Sequence, residues 1–425
     1  MIAQLRSPSP PSTFLPGYHL PPIAPTSTRV ILLRHGRSDR NDAGCYQGSS
    51  DVGQLTPSGL AASQVMGQYL TRCPIQAVYV SPLRRAKDTA AALLPHLTTP
   101  TLKRVSTHSL LREISLPAWE GLRYEDVRSH QSAAYHTWQT APHEFQMWPE
   151  RGEPCYPVRD LYQCAQQFWH TTLPHHHGQT ILIVSHGGTN QALINTALQR
   201  SPQAHHSLQQ THSGLTVFDV DATFHQPAQL HLLNLTLGSA PSAIAAPHLP
   251  KLKAGKQGVR LLLLPYQPGL MPDPTLASML RSATIQAAVV EDHQTAACPQ
   301  PYACHRIAES VLTHNPETVV LSVQRSHFWQ QWQAAISQSL QAQSTTDDLT
   351  TLLAVTQPDS LQAFLNHLLD LPSTSSALAL QPNKLSVVHY PDADTHPILQ
   401  AVNLTALTKY HPDKSPQKPK QHQAS

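Results

Sequence analysis

Three short apolar runs, each ending at a basic or imidazole side chain and each followed by a helix signal, constrain this chain more than any other feature. Residues 30–33 run into Arg34-His35-Gly36, residues 77–80 into Ser81-Pro82-Leu83-Arg84-Arg85, and residues 180–184 into Ser185-His186-Gly187-Gly188. Runs of this length are too short for buried helices and read as strands buried on both faces. Strands of that kind, separated by helices, belong to a mostly parallel sheet with helices on both sides. The helix signals fit. Thr56 caps a helix whose first residue is Pro57, and Ala62, Met66, Tyr69 and Leu70 follow at helical spacing. Ala86, Ala90, Leu93 and Leu94 mark a second helix, and residues 189–200 a third.

In an open α/β sheet ligands bind beyond the carboxyl ends of the strands. One Arg-His-Gly there is an ordinary strand-end turn. Three basic or imidazole ends in one unit form an anion site with two imidazoles. The planar fork of arginine suits phosphate or carboxylate, and the helix starting at Gly187 offers free N–H groups to an anion. Such a site can cleave a phosphomonoester in two steps through a covalent intermediate. The nucleophile must be unprotonated near neutral pH, and histidine beside arginines meets that condition. Arg34, Arg85 and His186 are the candidates for stabilising the transferring phosphoryl group. Asn41 adds a neutral donor, and Glu113 is the candidate carboxyl group that protonates the leaving alkoxide.

Composition excludes other classes. The 425 residues carry a formal net charge of +3 and only 13% are charged. That is no footprint for nucleic acid, and no basic stripe lies outside the tail. No run is apolar enough to span a membrane, and the start lacks a secretory pattern. The six cysteines have neither zinc nor redox spacing and read as reduced thiols of a cytoplasmic protein. His175-His176-His177, flanked by proline and ended by glycine, reads as a solvated loop rather than a metal site. The chemistry needs no metal and no cofactor. The expected partner is a small phosphorylated metabolite.

The chain divides into a Pro-rich disordered arm (1–27), a catalytic domain (28–240) with a helical cap at about 115–174, a linker (241–257), a second domain (258–410) and a disordered tail (411–425). The second domain repeats the first. Arg260-Leu261-Leu262-Leu263-Leu264-Pro265-Tyr266-Gln267 stands against Arg29-Val30-Ile31-Leu32-Leu33-Arg34-His35-Gly36. Thr356 stands against Ser185, Gln357 against His186 and, without a gap, Asn366 against Asn195. Asn403-Leu404-Thr405 echoes Asn234-Leu235-Thr236, and residues 312–323 resemble 70–81. The strands persist while both imidazoles are gone, so this half is expected to be an inactive copy with a shortened cap. Its expected value is packing, contact in a homodimer, or docking of a regulator.

The ordered set Arg34-His35-Gly36, Asn41, Leu55-Thr56-Pro57-Ser58-Gly59, Ser81-Pro82-Leu83-Arg84-Arg85-Ala86, Leu111-Arg112-Glu113 and Ser185-His186-Gly187 resembles the histidine phosphatase superfamily, in its phosphoglycerate-mutase-like branch. Within it, Gln47-Gly48-Ser49-Ser50-Asp51, Tyr156-Pro157-Val158-Arg159-Asp160-Leu161 and Asn190-Gln191-Ala192-Leu193 are most similar to the 2-carboxy-D-arabinitol-1-phosphate phosphatase-like proteins of plants and cyanobacteria. The resemblance implies a three-layer sheet flanked by helices with a cap insertion. It implies that His35 becomes phosphorylated, that Arg34, Arg85, His186 and the Gly187 helix start bind the phosphoryl group, and that Glu113 is the acid. Many members carry a glycine where this chain has Leu116-Pro117-Ala118, which leaves Glu120 as an alternative acid. Glu113 is followed by Ile114-Ser115-Leu116-Pro117 and not by the Arg-His-Tyr-Gly of mutases. The expectation is therefore a phosphatase for a sugar-acid phosphate, sugar phosphate or phosphoserine. A phosphoglycerate mutase or bisphosphoglycerate phosphatase is the alternative, and a non-catalytic binding or scaffold protein the alternative from another class.

Overall fold

The computed structural model describes residues 14–97, 102, 104–148, 153–239, 248–252, 257–267, 270, 274–281, 283–292, 303–343, 348–393 and 395–405. A short hairpin, β1 (Phe14–Leu15) and β2 (Tyr18–His19), leads into β3 (Ser27–Arg34). Then come α1 (Asp39–Asp42), α2 (Pro57–Tyr69), β4 (Ile75–Val80), α3 (Arg84–Leu93) and β5 (Arg104–Thr107). Two short helices, α4 (Tyr124–His130) and α5 (Ser132–Thr140), precede α6 (Pro157–Thr172), β6 (Thr180–Ser185), α7 (Gly187–Ala197), β7 (Leu215–Asp221) and β8 (Gln229–Leu235). The second half holds β9 (Gly258–Pro265), α8 (Pro274–Leu280), β10 (Ala287–Asp292), α9 (Ala303–Val311) and β11 (Val319–Gln324), then α10 (Arg325–Gln343), β12 (Leu349–Thr356), α11 (Pro358–Leu368), β13 (Leu385–Tyr390) and β14 (Ile398–Leu404).

Twelve strands form one sheet in the order β11-β10-β12-β9-β13-β14-β8-β7-β3-β6-β4-β5. Read outward from the β8–β14 junction, the two sides carry their strands in the same chain-relative order. The central strands are parallel (β3 with β6, β6 with β4, β9 with β12, β12 with β10), while β7 and β13 run antiparallel to β3 and β9. Alternation along each strand builds two cores. Val30, Leu32, Ile181 and Ile183 face the layer of α6, α7, α10 and α11. Ile31, Leu33, Leu182 and Val184 face that of α2, α3, α8 and α9. The result is a mixed α/β fold of three layers, as the periodicity predicts.

Several expectations change. Residues 14–27, assigned to a disordered arm, contain the hairpin and the start of β3. Leu15, Tyr18 and Leu20 are buried in the core, and Tyr69 Oη donates to Pro16 O at 2.7 Å. Proline-rich composition hid three apolar anchors. Within the span 115–174 expected to form a cap, α6 packs on the sheet through Phe168 against Tyr79 and Trp169 against Phe218, while Val127 of α4 and Trp138 of α5 join the same core. Residues 312–323 were set against 70–81, but β11 is an edge strand and takes the sheet position of β5, while β10 takes that of β4. Of 241–257, Leu249 packs against the core and Lys251 O accepts Gln209 Nε2. The expected tail, 411–425, lies outside the described residues. His176, inside the histidine run, is buried, with Nε2 on Tyr79 Oη at 2.7 Å and Nδ1 on Gln179 Oε1 at 2.9 Å, a structural latch.

Candidate active site

The C-terminal ends of β3, β4 and β6 bring His35, Arg85 and His186 together. His35 is 2% exposed, Arg85 1% and His186 0%, and the two imidazole centroids lie 5.2 Å apart. The turn after β3 is tightly held. His35 N donates to Ser185 O at 2.8 Å and Ser213 N donates to His35 O at 3.2 Å. Gly36 N donates to Thr89 Oγ1 at 2.9 Å. A Cβ on Gly36 would lie 2.6 Å from Gly59 O, so the strand end can approach α2 only through a glycine.

His35 Nδ1 lies 2.7 Å from Gly36 O. A carbonyl only accepts, so Nδ1 carries the ring hydrogen and Nε2 keeps its lone pair. Burial, and then Arg34 and Arg85, hold the His35 pKa well below the ordinary imidazole value. Burial and then Arg85 act the same way on His186. His186 Nε2 lies 2.6 Å from Ser81 Oγ, which also accepts Leu83 N. A Ser81 hydroxyl that gives its hydrogen to Nε2 places the ring hydrogen of His186 on Nδ1.

Arg34 is half-buried and its Nη1 donates to Gln210 O at 2.6 Å. Arg85 donates through Nη1 to Ser50 O at 2.8 Å and through Nη2 to Gly48 O at 2.9 Å, pinning the loop 47–51 over the site. Arg84 is exposed and pairs with Asp88 at 3.5 Å, so the buried cation of the motif is Arg85. Glu113 lies across the start of α7. Its carboxylate accepts Gly188 N at 3.1 Å, and Thr189 N at 3.0 Å, and it lies within electrostatic range of both Arg34 and Arg85. Ser185 Oγ and Thr189 Oγ1 hold its chain by donating to Leu111 O and Arg112 O. Glu120 has another task. It accepts Ser49 N at 2.8 Å and Ser49 Oγ at 3.2 Å, packed beneath Gly48, whose φ is +50° and where a Cβ would meet Glu120 Oε1 at 2.4 Å.

Asn41, expected to add a neutral donor, sits at the start of α1. Its Oδ1 accepts Ser38 N and Ser38 Oγ in a capping box at α1, and its amide hydrogen-bonds Tyr124. Tyr124, from the cap helix α4, in turn lies within electrostatic range of Arg34 and Glu113. Gly187 is the first residue of α7, and a Cβ there would lie 3.2 Å from the Arg34 guanidinium carbon. Sequence reasoning missed Ser81, Tyr124 and His212, whose ring centroid lies 5.6 Å from that of His35. The only available signal for His212 was the antiparallel register of β7 on β3, Leu215 opposite Leu33, which carries the residues before Leu215 past the end of β3. Among the described residues no group of three or more His, Cys, Asp or Glu side chains forms a metal cage, and no helix is long and apolar enough to cross a membrane.

The fold is a mixed α/β sheet whose rim joins two buried imidazoles, the buried Arg85 and half-buried Arg34 guanidinium groups and the start of α7. Residues 30–233 match the family model described as the histidine phosphatase superfamily (branch 1), and the chain belongs to that superfamily. A 2-carboxy-D-arabinitol-1-phosphatase of Triticum aestivum is 34% identical over 50% of this chain and 40% of its own length. A relative from Arabidopsis thaliana is 32% identical over 46% of this chain and 38% of its own. A 2,3-bisphosphoglycerate-dependent phosphoglycerate mutase of Brucella anthropi is 30% identical over 40% of this chain and 80% of its own. The chain thus spans about two fifths of the plant relatives it matches.

Proposed function

We propose that the first half is a metal-independent phosphomonoesterase acting through a phosphohistidine on His35. The observation that carries this reading is the Nδ1–H of His35 given to Gly36 O, which leaves Nε2 as a buried lone pair between Arg34, Arg85 and His186. Nε2 attacks phosphorus, the bond to the ester oxygen breaks, and Glu113 protonates the departing alkoxide. Water then attacks the phosphohistidine, Glu113 takes its proton, and inorganic phosphate leaves. Arg34, Arg85, His186 Nδ1–H and the Gly187 N-terminus of α7 supply fixed donors to the phosphoryl oxygens. Asn41 contributes through Tyr124.

The substrate class is a sugar-acid phosphate, sugar phosphate or phosphoserine. The plant relative's name supports the sugar-acid phosphate. Phosphate release from these esters, with a chelator present, is the test; a chain inert towards all of them contradicts the reading. The Brucella anthropi relative favours a second reading, mutase chemistry, which would interconvert 2- and 3-phosphoglycerate with 2,3-bisphosphoglycerate present and release little phosphate.

The second half is, on this reading, a duplicated copy without its site. Support comes from the repeated strand order and from a reciprocal junction. Asn234 Nδ2 donates to Gln400 O at 2.8 Å while Asn403 Nδ2 donates to His231 O at 2.8 Å, both asparagines with φ near +60°. At its rim Tyr266 and Gln357 stand where His35 and His186 stand. Glu291 is fully buried and accepts Thr356 Oγ1 and Gln357 N, so a carboxyl side chain occupies the place of Ser81, with Arg325 Nε 3.8 Å from its Oε1. A cytoplasmic setting belongs to the same proposal. Homodimer or regulator contacts would fall on this half.

A further inference from the structure

The segment 208–214 joins α7's layer to β7 and carries three contacts to the catalytic turn. Gln210 O accepts Arg34 Nη1, Gly214 O accepts Arg34 N at 3.2 Å, and Ser213 N donates to His35 O. It also sets the His212 ring against His35. Its own anchors come from both halves of the molecule, Gln191 Nε2 donating to Leu208 O at 2.6 Å from the first. Leu208 forms a bridge with Leu399, and Gln209 N donates to Leu399 O at 2.9 Å. Gln400 Nε2 donates to Gln209 Oε1 at 2.7 Å, with Gln400 0% and Gln209 4% exposed. Gln400 O accepts Asn234 Nδ2, and Asn234 Oδ1 accepts Thr211 N at 2.8 Å. Hydrogen bonds from β14 thus hold Gln209, and the next residue along the backbone, Gln210, carries the carbonyl that accepts the Arg34 guanidinium.

We propose that Gln400, on β14 of the catalytically empty half, is a positioning residue for the catalytic half: through Gln209 it holds the segment 208–214 that seats Arg34 and His212 beside His35. The inference rests on the proposed phosphatase reading for its kinetic consequence and on these hydrogen bonds for its geometry. It gives the second half a place in the reaction, since a site 1 Å out of place can cost on the order of a hundredfold in rate. Deep burial makes the amide pair consequential, because removing one partner leaves the other unsatisfied.

The test is Gln400→Met in the full chain, with Gln209→Met as the variant that removes the same bond from the loop side. Asn366→Ala serves as a control, since it breaks buried bonds to Ser373 O and Ser375 O in the second half, away from the loop. Gln400→Met is expected to lower kcat/KM for p-nitrophenyl phosphate by about tenfold or more. The acid limb of its pH profile should move up toward the ordinary imidazole range. The groups facing His35 are Arg34, Arg85, His186, His212 and Glu113, and only Arg34 and His212 are held by this loop. Gln209→Met should give the same shift, the double variant little more, and Asn366→Ala none. Imidazole resonances of His35 and His212 should move in both glutamine variants whether or not a substrate turns over. An inactive wild type would overturn the phosphatase reading while these resonances still decide the positioning. Should Gln400→Met fail to fold, Gln209→Met decides the same way. Unmoved resonances and an unmoved acid limb in a folded glutamine variant overturn the inference, whatever the change in stability.

Discussion

Burial lowers the pKa of several histidines, His108, His176 and His389 as well as the two at the sheet rim. The imidazole pKa values of His35 and His186 are held down by burial and then by guanidinium groups. Their neutral forms persist below about 6.5, the ordinary value, so the acid limb of kcat/KM is expected below that range. The stability effect has a definite sign. The unfolded chain binds protons that the folded rings refuse, so this contribution is complete above about pH 6.5 and is lost progressively as pH falls below it. Urea midpoints measured between pH 7.5 and 5 should therefore fall, and His186→Gln should flatten the slope. Glu113→Gln should slow alkyl phosphates far more than p-nitrophenyl phosphate, whose phenolate departs without a proton. Equal losses on both would return Glu113 to its role at the α7 start, and a selective loss in Glu120→Gln instead would exchange the two carboxylates. Arg34, His35, Arg85 and His186 were legible as candidates because each sits at or just beyond an apolar run, whereas Glu113 lies at the end of none of the three. Ser81 ends the 77–80 run, but its bond to His186 is made only in the fold; Tyr124 and His212 were not legible, because only the closed sheet and the folded cap bring them near.

At the scale of elements, the loop 47–51 is the part of the rim that the sequence could name but not place. Arg85, Arg112 and Glu120 all bond to it, Arg112 through Nη2 to Ser49 O at 3.0 Å. Glu120→Ala should loosen the loop and raise KM on the order of tenfold with the Tm little changed; steady-state kinetics beside a thermal melt checks it. The hairpin shows the limit of composition. Pro- and Ser-rich stretches read as disordered, yet Tyr18 is 2% exposed beneath the Lys384 ammonium, 4.4 Å from its ring. Tyr18→Ala is expected to cost roughly 3 kcal/mol, as truncation of a buried aromatic does, read from denaturant unfolding. The second-half alignment failed where periodicity is silent. An apolar run such as 319–321 looks alike in a central and an edge strand, and only hydrogen-bond order shows that Val319 is 59% exposed at an edge.

For the whole molecule, the repeated strand order on the two sides of the sheet matches the register read from the sequence, while the way the halves join was not legible there. Two antiparallel strands, β8 and β14, close a continuous sheet through Val402 opposite Leu233 and through the paired asparagines. Asn403 also donates to Ala379 O and accepts Gln381 N. Asn403→Ala loses these bonds and keeps a left-handed backbone, so it should destabilise the full chain by roughly 2–4 kcal/mol, about 1 kcal/mol more than Asn403→Gly. Equal losses would remove backbone conformation from the account. The halves differ in their interiors as well. Arg29 pairs with Asp219 at 2.7 Å, whereas the register puts His389 opposite Arg260. The central claim remains the chemistry of one atom, Nε2 of His35. Rapid acid-free quenching of the full chain with a 32P-labelled phosphomonoester tests it most directly. The account predicts an acid-labile, base-stable phosphate on the peptide containing His35, absent in His35→Ala together with turnover; label on any other residue, or turnover preserved in His35→Ala, contradicts it.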